Sequence, residues 1–346
     1  MDEDKAEQLL KQSVLQGSAL GILVALRSQV LTPELMDQMP LSLQDAFTQV
    51  LEKAAAGDAF CQFTVGNTYF WWDFMTIQGK GPQDFPTLEG FEAHMRENIT
   101  QCEDWFWKAF RGGMYLAGNN LAHYYSNGDE DFVPAQPEKA KDIFKMGAEM
   151  GYAIHQYFYA GELEKAGRIE EALEWYWKAA EGGQPDTWYL LGNKYEKGNG
   201  VPKDMQKAIS CYERGAEKGE TGSCNAMGRI CYFGLGRPQD RAKAFEYFHF
   251  VYTNKNNSFG APYLARCYLE GWGTAPNYEQ AYNLAWEQKG ELESLYVLGK
   301  IYCEGLGMPQ DIAKGVDFFR RAGDMPEAKE ELTHYKRTLF GRWVRR

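Results

Sequence analysis

Residue types that bind metals or carry acid–base chemistry occur in this sequence, but their spacing does not group them. The five histidines are scattered without the His-x-x-x-His spacing that puts two metal ligands on one helix face, and no Cys-x-x-Cys pair occurs. Adjacent carboxylates such as Glu170 and Glu171 belong to helical charge runs, which are typical of a solvated face. No Gly-x-Ser-x-Gly or Ser-x-x-Lys nucleophile motif is present. We therefore predict no catalytic residue, no metal site and no cofactor, and we expect that the protein is not an enzyme.

Charge and hydropathy argue against two kinds of binding target, nucleic acid and the membrane interior. The 37 Lys and Arg residues against 48 Asp and Glu give a formal net charge of -11, which argues against nucleic acid because phosphate binding needs a basic surface. The chain starts with acidic residues, and the apolar run ALGILVAL is far shorter than the roughly 20 residues of a membrane span. The seven cysteines are an odd number, and Cys231, Cys267 and Cys303 do not occupy one equivalent repeat position, which indicates reduced thiols. We expect a cytoplasmic protein with no membrane insertion.

Three nearly identical segments, GNGVPKD at 198–204, GLGRPQD at 234–240 and GLGMPQD at 305–311, show that the chain repeats. With a further pair at Gly271, the first glycines lie 36, 37 and 34 residues apart, which is the range of helical-hairpin repeats. Glycine adopts the positive φ that ends a helix, and the aspartates that close these segments are good N-caps. The motif therefore predicts the end of one helix and the start of the next.

Apolar residues recur three and four apart after each turn, as in KAISCYERGAEKG and EALEWYWKAAEGG. Small residues such as Gly192, Gly228 and Gly299 precede the turns and allow two helices to approach closely. One helical hairpin cannot bury such an apolar face alone, whereas stacked hairpins can. The sequence therefore predicts an all-α fold, an α/α superhelical solenoid of stacked helical hairpins.

The repeat pattern divides the chain into three parts. About seven hairpins span 59–323, and the first of them, 59–113, carries insertions that include FWWDFMT. We expect residues 1–58 to form an N-terminal helical cap and residues 324–346 a C-terminal cap helix with a basic tail. The tail, HYKRTLFGRWVRR, is predicted to pack over the last hairpin, and contact with an anionic membrane or an acidic partner is the alternative.

The segment LLGNKYEKGNGVPKDMQKAISCYERGAEKG resembles the Sel-one-like repeat, a longer relative of the tetratricopeptide repeat with Leu-Gly-x-x-Tyr, Gly-x-Gly-Val and Lys-Ala motifs. The resemblance is clearest in 184–323, fair in 114–183 and weakest in 59–113, where the insertions interrupt it. It implies a superhelix that assembles proteins in signalling, secretion or inhibition of a partner, and a bacterial origin. Some relatives staple each hairpin with a disulfide, and the cysteine positions here depart from that arrangement.

In tetratricopeptide-type arrays, the residue after the Leu-Gly pair of each first helix points into a concave groove. The residues at this position here are Asn67, His123, Asn193, Arg229, Arg266 and Lys300. The last three form a row of cations that can hold a partner's carboxylates, and the asparagines can bond a peptide backbone. Tyr189 and Tyr296, one helical turn earlier on the same face, add rigid contact area. The alternative is that the cations pair with Glu196 or Glu304 and that the tyrosines pack in the core.

Tryptophans two positions apart on a helix do not face the same way, so one member of each pair must leave the main apolar seam. By repeat register, Trp105 and Trp175 take the core position, and Trp107 and Trp177 take a position that holds charged residues in later repeats. Trp286 occupies the cognate place in its own repeat. We predict Trp107, Trp177 and Trp286 as aromatic anchors for a partner. Packing against the next hairpin or against the inserted segment 85–100 is the alternative.

These features favour a protein–protein interaction scaffold or adaptor that binds a segment of a partner protein in its groove. An immunity-type inhibitor of a cognate toxin or enzyme is an alternative within the same class. The alternative from another class is a carbohydrate-binding protein or hydrolase with a Trp-rich pocket near 70–107. It requires one deep pocket formed by Trp71, Trp72, Trp105 and Trp107 with convergent acids such as Asp73, Glu103 and Asp104. The scaffold hypothesis predicts a long open groove instead.

Overall fold

The structure, a computed structural model, describes residues 3–128, 132–255, 258–339 and 341–346. Helices dominate these ranges, and within them strands are confined to one short pair near the C-terminus. The chain divides into two compact units, Met1–Gly183 and Gln184–Arg346, each with its own buried apolar core. The fold is the all-α repeat solenoid that the glycine spacing predicts.

The first unit consists of helices joined by short turns. They are α1 (Glu3–Leu15), α2 (Ala19–Arg27), α3 (Pro33–Met36), α4 (Leu43–Ala55), α5 (Ala59–Phe70), α6 (Asp73–Ile77), α7 (Leu88–Ile99), α8 (Gln101–Arg111), α9 (Tyr115–Asn127), α10 (Pro137–Glu149), α11 (Ala153–Lys165) and α12 (Ile169–Glu181). A 3-10 turn at Pro82–Asp84 lies between α6 and α7. Helix α5 packs against α8, so α6 and α7 are insertions within that hairpin.

The second unit alternates first and second helices of hairpins. Its elements are α13 (Thr187–Lys197), α14 (Met205–Glu217), α15 (Thr221–Phe233), α16 (Arg241–Lys255), α17 (Ala261–Glu270), α18 (Tyr278–Glu287), α19 (Leu292–Glu304), α20 (Ile312–Arg321), α21 (Pro326–Thr333), β1 (Tyr335–Arg337) and β2 (Trp343–Arg345). Each second helix packs on its own first helix and on the first helix that follows. In the part of the chain that the structure describes, no helix is long and apolar enough to cross a membrane.

The glycine-rich turns end the first helices and start the second ones, as the sequence predicts. The glycines that follow α13, α15, α17 and α19 have φ values of 77°, 71°, 73° and 73°, and they are Gly198, Gly234, Gly271 and Gly305. At the start of α20, the Asp311 carboxylate accepts a hydrogen bond from the backbone N–H of Lys314 at 3.0 Å. Asp204 and Asp240 cap α14 and α16 in the same way. The repeated motif is therefore a helix stop followed by a helix start.

The small residues of the first helices bring an aromatic ring of the second helix against the backbone. A Cβ atom placed on Gly192 would lie 2.4 Å from the ring of Tyr212, and one on Gly228 would lie 2.5 Å from the ring of Phe248. Both rings are buried. Any larger side chain at these glycines would displace the ring, so the close approach predicted from the sequence is confirmed.

In α8 and α12 the buried core position lies one residue later than the repeat register predicts. In the first unit, the ring that lies against Gly66 is that of Phe106, and Tyr176 is likewise buried. Trp105 and Trp175 are only half-buried. The prediction for these two tryptophans is therefore wrong, because the first helix encloses the residue that follows each of them.

The basic tail forms strands after the last helix ends at Thr333. Strands β1 and β2 pair antiparallel, with Lys336 opposite Val344. Trp343 packs against the core of the second unit, and the guanidinium of Arg320 lies 4.6 Å from the centre of its ring. Strands of three residues carry no periodic signal, so the sequence pattern does not predict them.

Candidate interaction groove

Two adjoining clefts lie along the first helices of the second unit. One, the Arg229 cleft, has a volume of about 450 Å³ and is lined by residues of α13 and α15 that include Tyr189, Asn193 and Arg229. The other, the acidic cleft, has a volume of about 470 Å³ and lies between the ends of α15, α17, α19 and α21. Phe259, in the loop before α17, lines both clefts, so the two clefts adjoin, and together they are called the groove of the second unit.

The acidic cleft combines apolar walls with carboxylates. Its main apolar side chains are Phe233, Phe259, Tyr263 and Leu292, and its acids are Glu291, Glu293, Asp324 and Glu327. Phe233, Phe259 and Leu292 are 47%, 64% and 49% exposed, which is high for large apolar residues. Among the described residues that line this cleft, none is a lysine or an arginine.

Arg229 lines its cleft but is already paired within the chain. Its Nη2 atom lies 2.5 Å from Glu196 Oε1, and the Tyr212 hydroxyl donates to the same carboxylate at 2.8 Å. Burial alone raises the pKa of Glu196, but the hydrogen bonds from Arg229 and Tyr212 outweigh it and lower the pKa. The ion pair joins α15 to α13, the preceding first helix.

Arg266 is buried rather than exposed in the groove, with only 5% of its surface accessible. Its Nη1 atom lies 2.8 Å from Glu293 on α19, and its Nη2 atom lies 3.6 Å from Glu327 on α21. The guanidinium also lies 4.2 Å from the ring centre of Tyr296, which is buried too. The groove positions expected for Arg266 and Tyr296 are therefore corrected, because both side chains are used in packing one first helix on the next.

Lys300 completes the same pattern. Its ammonium lies 2.6 Å from Glu304 and 3.1 Å from Glu331 on α21. Burial alone lowers the pKa of Lys300, but its hydrogen bonds to the two carboxylates outweigh this effect and raise the pKa. Each cation of the predicted row thus bridges to a carboxylate on a neighbouring first helix: Arg229 to Glu196, Arg266 to Glu293 and Lys300 to Glu331. The pairing with Glu196 or Glu304 considered as the alternative is also present, and Glu304 lies on the same helix as Lys300.

The predicted groove residues of the first unit make local contacts. Asn67 is half-buried and its Oδ1 atom accepts a hydrogen bond from Asn120 at 2.6 Å. His123 is exposed and its ring stacks on Trp71, with ring centres 6.4 Å apart. They lie outside the groove of the second unit.

The three predicted aromatic anchors lie on second helices. Trp107 is half-buried and donates from Nε1 to the Tyr125 hydroxyl at 3.1 Å, while Trp177 is half-buried on α12. Trp286 on α18 is exposed and stacks on Tyr282, with ring centres 5.6 Å apart. None of the three lines the Arg229 cleft or the acidic cleft.

The tryptophans of the inserted region do not enclose one pocket. Trp71 and Trp72 line an open cleft of about 710 Å³ with Phe70 and His123, but Trp105 and Trp107 do not. The acids expected there also fail to converge on that cleft: Asp73 pairs with Arg27 at 3.5 Å, Asp104 pairs with Lys108 at 2.6 Å, and Glu103 accepts from the Tyr125 hydroxyl. Burial raises the pKa of Asp73 to about 6, which Arg27 opposes.

Metal-binding residue types and cysteines are dispersed among the described residues. Within them, no group of three or more His, Cys, Asp or Glu side chains is placed to hold a metal ion. The seven cysteines are buried with free thiols. The geometry of a site is therefore clearest in the groove of the second unit.

Phe233 is not among the groove residues predicted from the sequence, but its position in the repeat does mark it as unusual. It stands directly before the first glycine of its turn, where the other repeats have Lys197, Glu270 and Glu304. The other repeats pack with a charged residue at this position. An aromatic residue here is therefore not needed for the fold, and it indicates a local surface feature. Phe259 and Leu292 carry no such signal, because they lie at the junctions between hairpins, where the repeat pattern is weakest.

A known repeat family matches much of the chain. The family described as Sel1 repeat matches six segments, which together cover more than half of the chain: 114–152, 157–184, 189–220, 222–250, 263–285 and 292–326. A search of curated proteins finds no match for this sequence.

Two solved structures resemble the chain over most of its length. One is c5321, described as a protective antigen present in uropathogenic Escherichia coli strains displaying an SLR fold, with 25% identity, a TM-score of 0.57, and coverage of 83% of this chain and 58% of that chain. The other is a Sel1 repeat protein from Oxalobacter formigenes, with 20% identity, a TM-score of 0.51, and coverage of 94% of this chain and 89% of that chain. A third, immunity protein Pa5087 from Pseudomonas aeruginosa, has 16% identity, covers 64% of this chain and 72% of that chain, and has a TM-score of only 0.32, too low to support the immunity-type alternative.

Proposed function

Because this chain belongs to the Sel1 repeat family, whose members generally act as protein–protein interaction scaffolds, we propose that it holds a segment of a partner protein in the groove of its second unit. The fold is typically non-catalytic. The groove consists of the Arg229 cleft and the acidic cleft, joined at Phe259.

The observation that carries the proposal is the exposed apolar surface of the groove. Phe233, Phe259 and Leu292 surround one cleft, and Tyr189, which is 38% exposed, stands in the other. Single exposed apolar residues are normal on a protein surface, but several around one concave site mark a binding surface. Aromatic side chains in such sites supply much of the binding energy of protein interfaces.

Polar groups beside these aromatics can orient the bound segment. Asn193 lies in the Arg229 cleft and carries both a donor and an acceptor for a peptide backbone. Arg229 keeps part of its side chain exposed while paired with Glu196. A preorganised polar group of this kind loses little conformational entropy on binding.

The test compares a groove variant with a control variant in which two other exposed apolar residues are also replaced by serine. A partner isolated with the wild-type protein from its native cell extract is purified, and its affinity is measured by calorimetry for Phe233→Ser with Phe259→Ser, and for Leu9→Ser with Leu88→Ser, two exposed residues of the first unit. We expect the groove variant to lose about 2 kcal/mol of binding free energy and the control to lose little. Equal affinities would place the interaction elsewhere, and recovery of no protein partner would contradict the scaffold function.

A further inference from the structure

We propose that the acidic cleft binds a basic amphipathic segment of the partner, with an apolar side chain in the cleft and a neighbouring Lys or Arg against its carboxylates. This inference rests on the proposed function and adds the chemistry of the partner. It follows from an excess of carboxylates that the protein does not neutralise, together with apolar walls that it leaves exposed.

The charge balance of the cleft is strongly negative. Four carboxylates line it, and the buried guanidinium of Arg266 reaches only two of them, Glu293 and Glu327. Asp324 is fully exposed and lies 3.6 Å from Lys329, an exposed pair of the kind that contributes little. Glu291 has no ion-pair partner in the ranges that the structure describes. A cation entering the cleft therefore meets carboxylates that are still available.

Helix capping does not account for the available carboxylates. Acids in the first turn of a helix interact favourably with its dipole, which explains Glu293 on α19 and Glu327 on α21. Glu291 stands at the N-cap position of α19, yet its side chain makes no capping hydrogen bond. Asp324 lies before α21 and its side chain points into solvent. Of the four acids, Glu291 and Asp324 are thus the least engaged, because neither pairs with Arg266 and Asp324 has only the exposed pair with Lys329.

The apolar walls of the cleft determine which apolar side chain of the partner can bind beside the cation. Phe233 packs edge-on against Tyr263, with ring centres 5.6 Å apart, and both line the cleft together with Leu292. A cleft of about 470 Å³ has room for one or two large side chains. Burial of an aliphatic or aromatic side chain there would remove the exposed faces of Phe233 and Leu292 from water.

The two helices that carry the acids are held in fixed relation. Arg266 on α17 pairs with carboxylates on α19 and α21, and it packs against Tyr296. The cleft is therefore formed before binding, and a partner does not have to order it. A negatively charged segment would meet like charge in this preformed site, whereas a basic segment would be attracted to it.

The experiment uses a random heptapeptide library displayed on phage and selected on the full-length protein. We expect the enriched peptides to combine Lys or Arg with an adjacent Leu, Ile, Phe or Trp. A labelled peptide of the enriched sequence should bind the double variant Glu291→Lys with Asp324→Lys at least about tenfold more weakly than the wild type. The matched control is Glu217→Lys with Glu246→Lys, which makes the same charge change on α14 and α16, and it should bind as the wild type does.

The outcomes separate this inference from the proposed function. Enrichment of acidic or uncharged peptides whose binding is lost in Phe233→Ser with Phe259→Ser would overturn the basic partner while supporting the groove. Peptides that bind equally to wild type, to the charge variant and to the phenylalanine variant would overturn both, and so would the absence of any enriched peptide. Sedimentation equilibrium adds a last arm: a wild-type dimer that the charge variant converts to monomer would assign the cleft to a second copy of this chain and overturn the proposal.

Discussion

At the scale of single residues, Arg266 shows that the cations of the first helices stabilise the array. Its side chain is buried among Glu293, Glu327 and Tyr296, so its charge is compensated inside the protein. Removing one partner of a buried ion pair leaves the other charge uncompensated, and this costs far more than the loss of a surface pair. Arg266 is therefore a structural brace between consecutive hairpins.

We predict that Arg266→Glu lowers the free energy of unfolding by about 3 to 5 kcal/mol, because it buries a third carboxylate beside Glu293 and Glu327. Urea unfolding followed by circular dichroism measures the change. The matched control is Arg237→Glu, which breaks the exposed pair with Glu213 and should cost below about 1 kcal/mol. Equal effects of the two substitutions would show that Arg266 is not a buried brace.

A second residue-scale prediction concerns His155, which is fully buried in the first unit. Burial lowers its pKa from 6.5 to about 4, so the folded protein binds fewer protons at this site than the unfolded chain. Its contribution is complete above pH 6.5 and is lost as the pH falls toward 4, with a loss of about 2 kcal/mol by pH 5. In the wild type, the free energy of unfolding should fall between pH 7 and pH 5 partly because of His155. In His155→Gln this fall should be smaller by about 2 kcal/mol.

The control for this titration is His123→Gln, because His123 is exposed on α9. Its pH dependence should match that of the wild-type protein. A His155→Gln variant with the same loss of stability between pH 7 and pH 5 as the wild type would show that His155 titrates normally.

The sequence located the positions of these cations and suggested Glu196 and Glu304 as partners, but it did not suggest Glu293, Glu327 or Glu331. Arg229, Arg266 and Lys300 follow from the repeat register, because each comes directly after the small residue of its first helix. The carboxylates that hydrogen-bond to them from neighbouring first helices, Glu196, Glu293 and Glu331, lie 27 to 33 residues away. Such pairing depends on how hairpins stack, which a periodic pattern within one repeat does not encode.

At the scale of elements, the turn glycines should be required for stability. Gly234 has a φ of 71°, and a Cβ atom there would lie 3.1 Å from the backbone nitrogen of Gln239. Gly234→Ala is expected to lower the free energy of unfolding by about 1 to 2 kcal/mol, because an L-residue is strained in this conformation. Thermal unfolding measures the change, and Gly290→Ala is the control, since a Cβ atom there meets no other group. A normal melting temperature for Gly234→Ala would contradict the assigned turn.

The boundaries of these elements were largely predictable, and the exceptions have local causes. The Gly-x-Gly segments end helices and the aspartate N-caps start them for reasons of backbone geometry and hydrogen bonding, so the sequence predicts the hairpins of 184–323 well. The core register failed at Trp105 because a glycine in a different helix decides which ring is enclosed. The two short strands of the tail depend on pairing with each other, and this long-range requirement leaves no pattern in either strand.

At the scale of the whole molecule, the repeat fold and its acidic charge have different consequences for function. Repetition predicted the solenoid and, through it, a scaffold rather than an enzyme. It did not predict where a partner binds, because the apolar residues of the acidic cleft lie where the repeats differ. The groove is thus found by exposure and charge, at Phe233, Phe259 and Glu291.

The net charge of -11 leads to a prediction about association rates. A basic segment approaching an acidic protein is attracted before contact, and salt screens this attraction over about 10 Å at 0.1 M and about 3 Å at 1 M ionic strength. We expect the association rate constant of the enriched basic peptide, measured by stopped-flow fluorescence, to fall at least about tenfold between 50 and 500 mM NaCl. The dissociation rate constant should change less, because apolar contacts with Phe233 and Leu292 hold the bound segment.

The control compares two double variants that alter the net charge equally. Glu291→Lys with Asp324→Lys should reduce the salt dependence of the association rate constant more than Glu217→Lys with Glu246→Lys does. Identical slopes for the two would mean that steering comes from the net charge of the protein and not from the cleft.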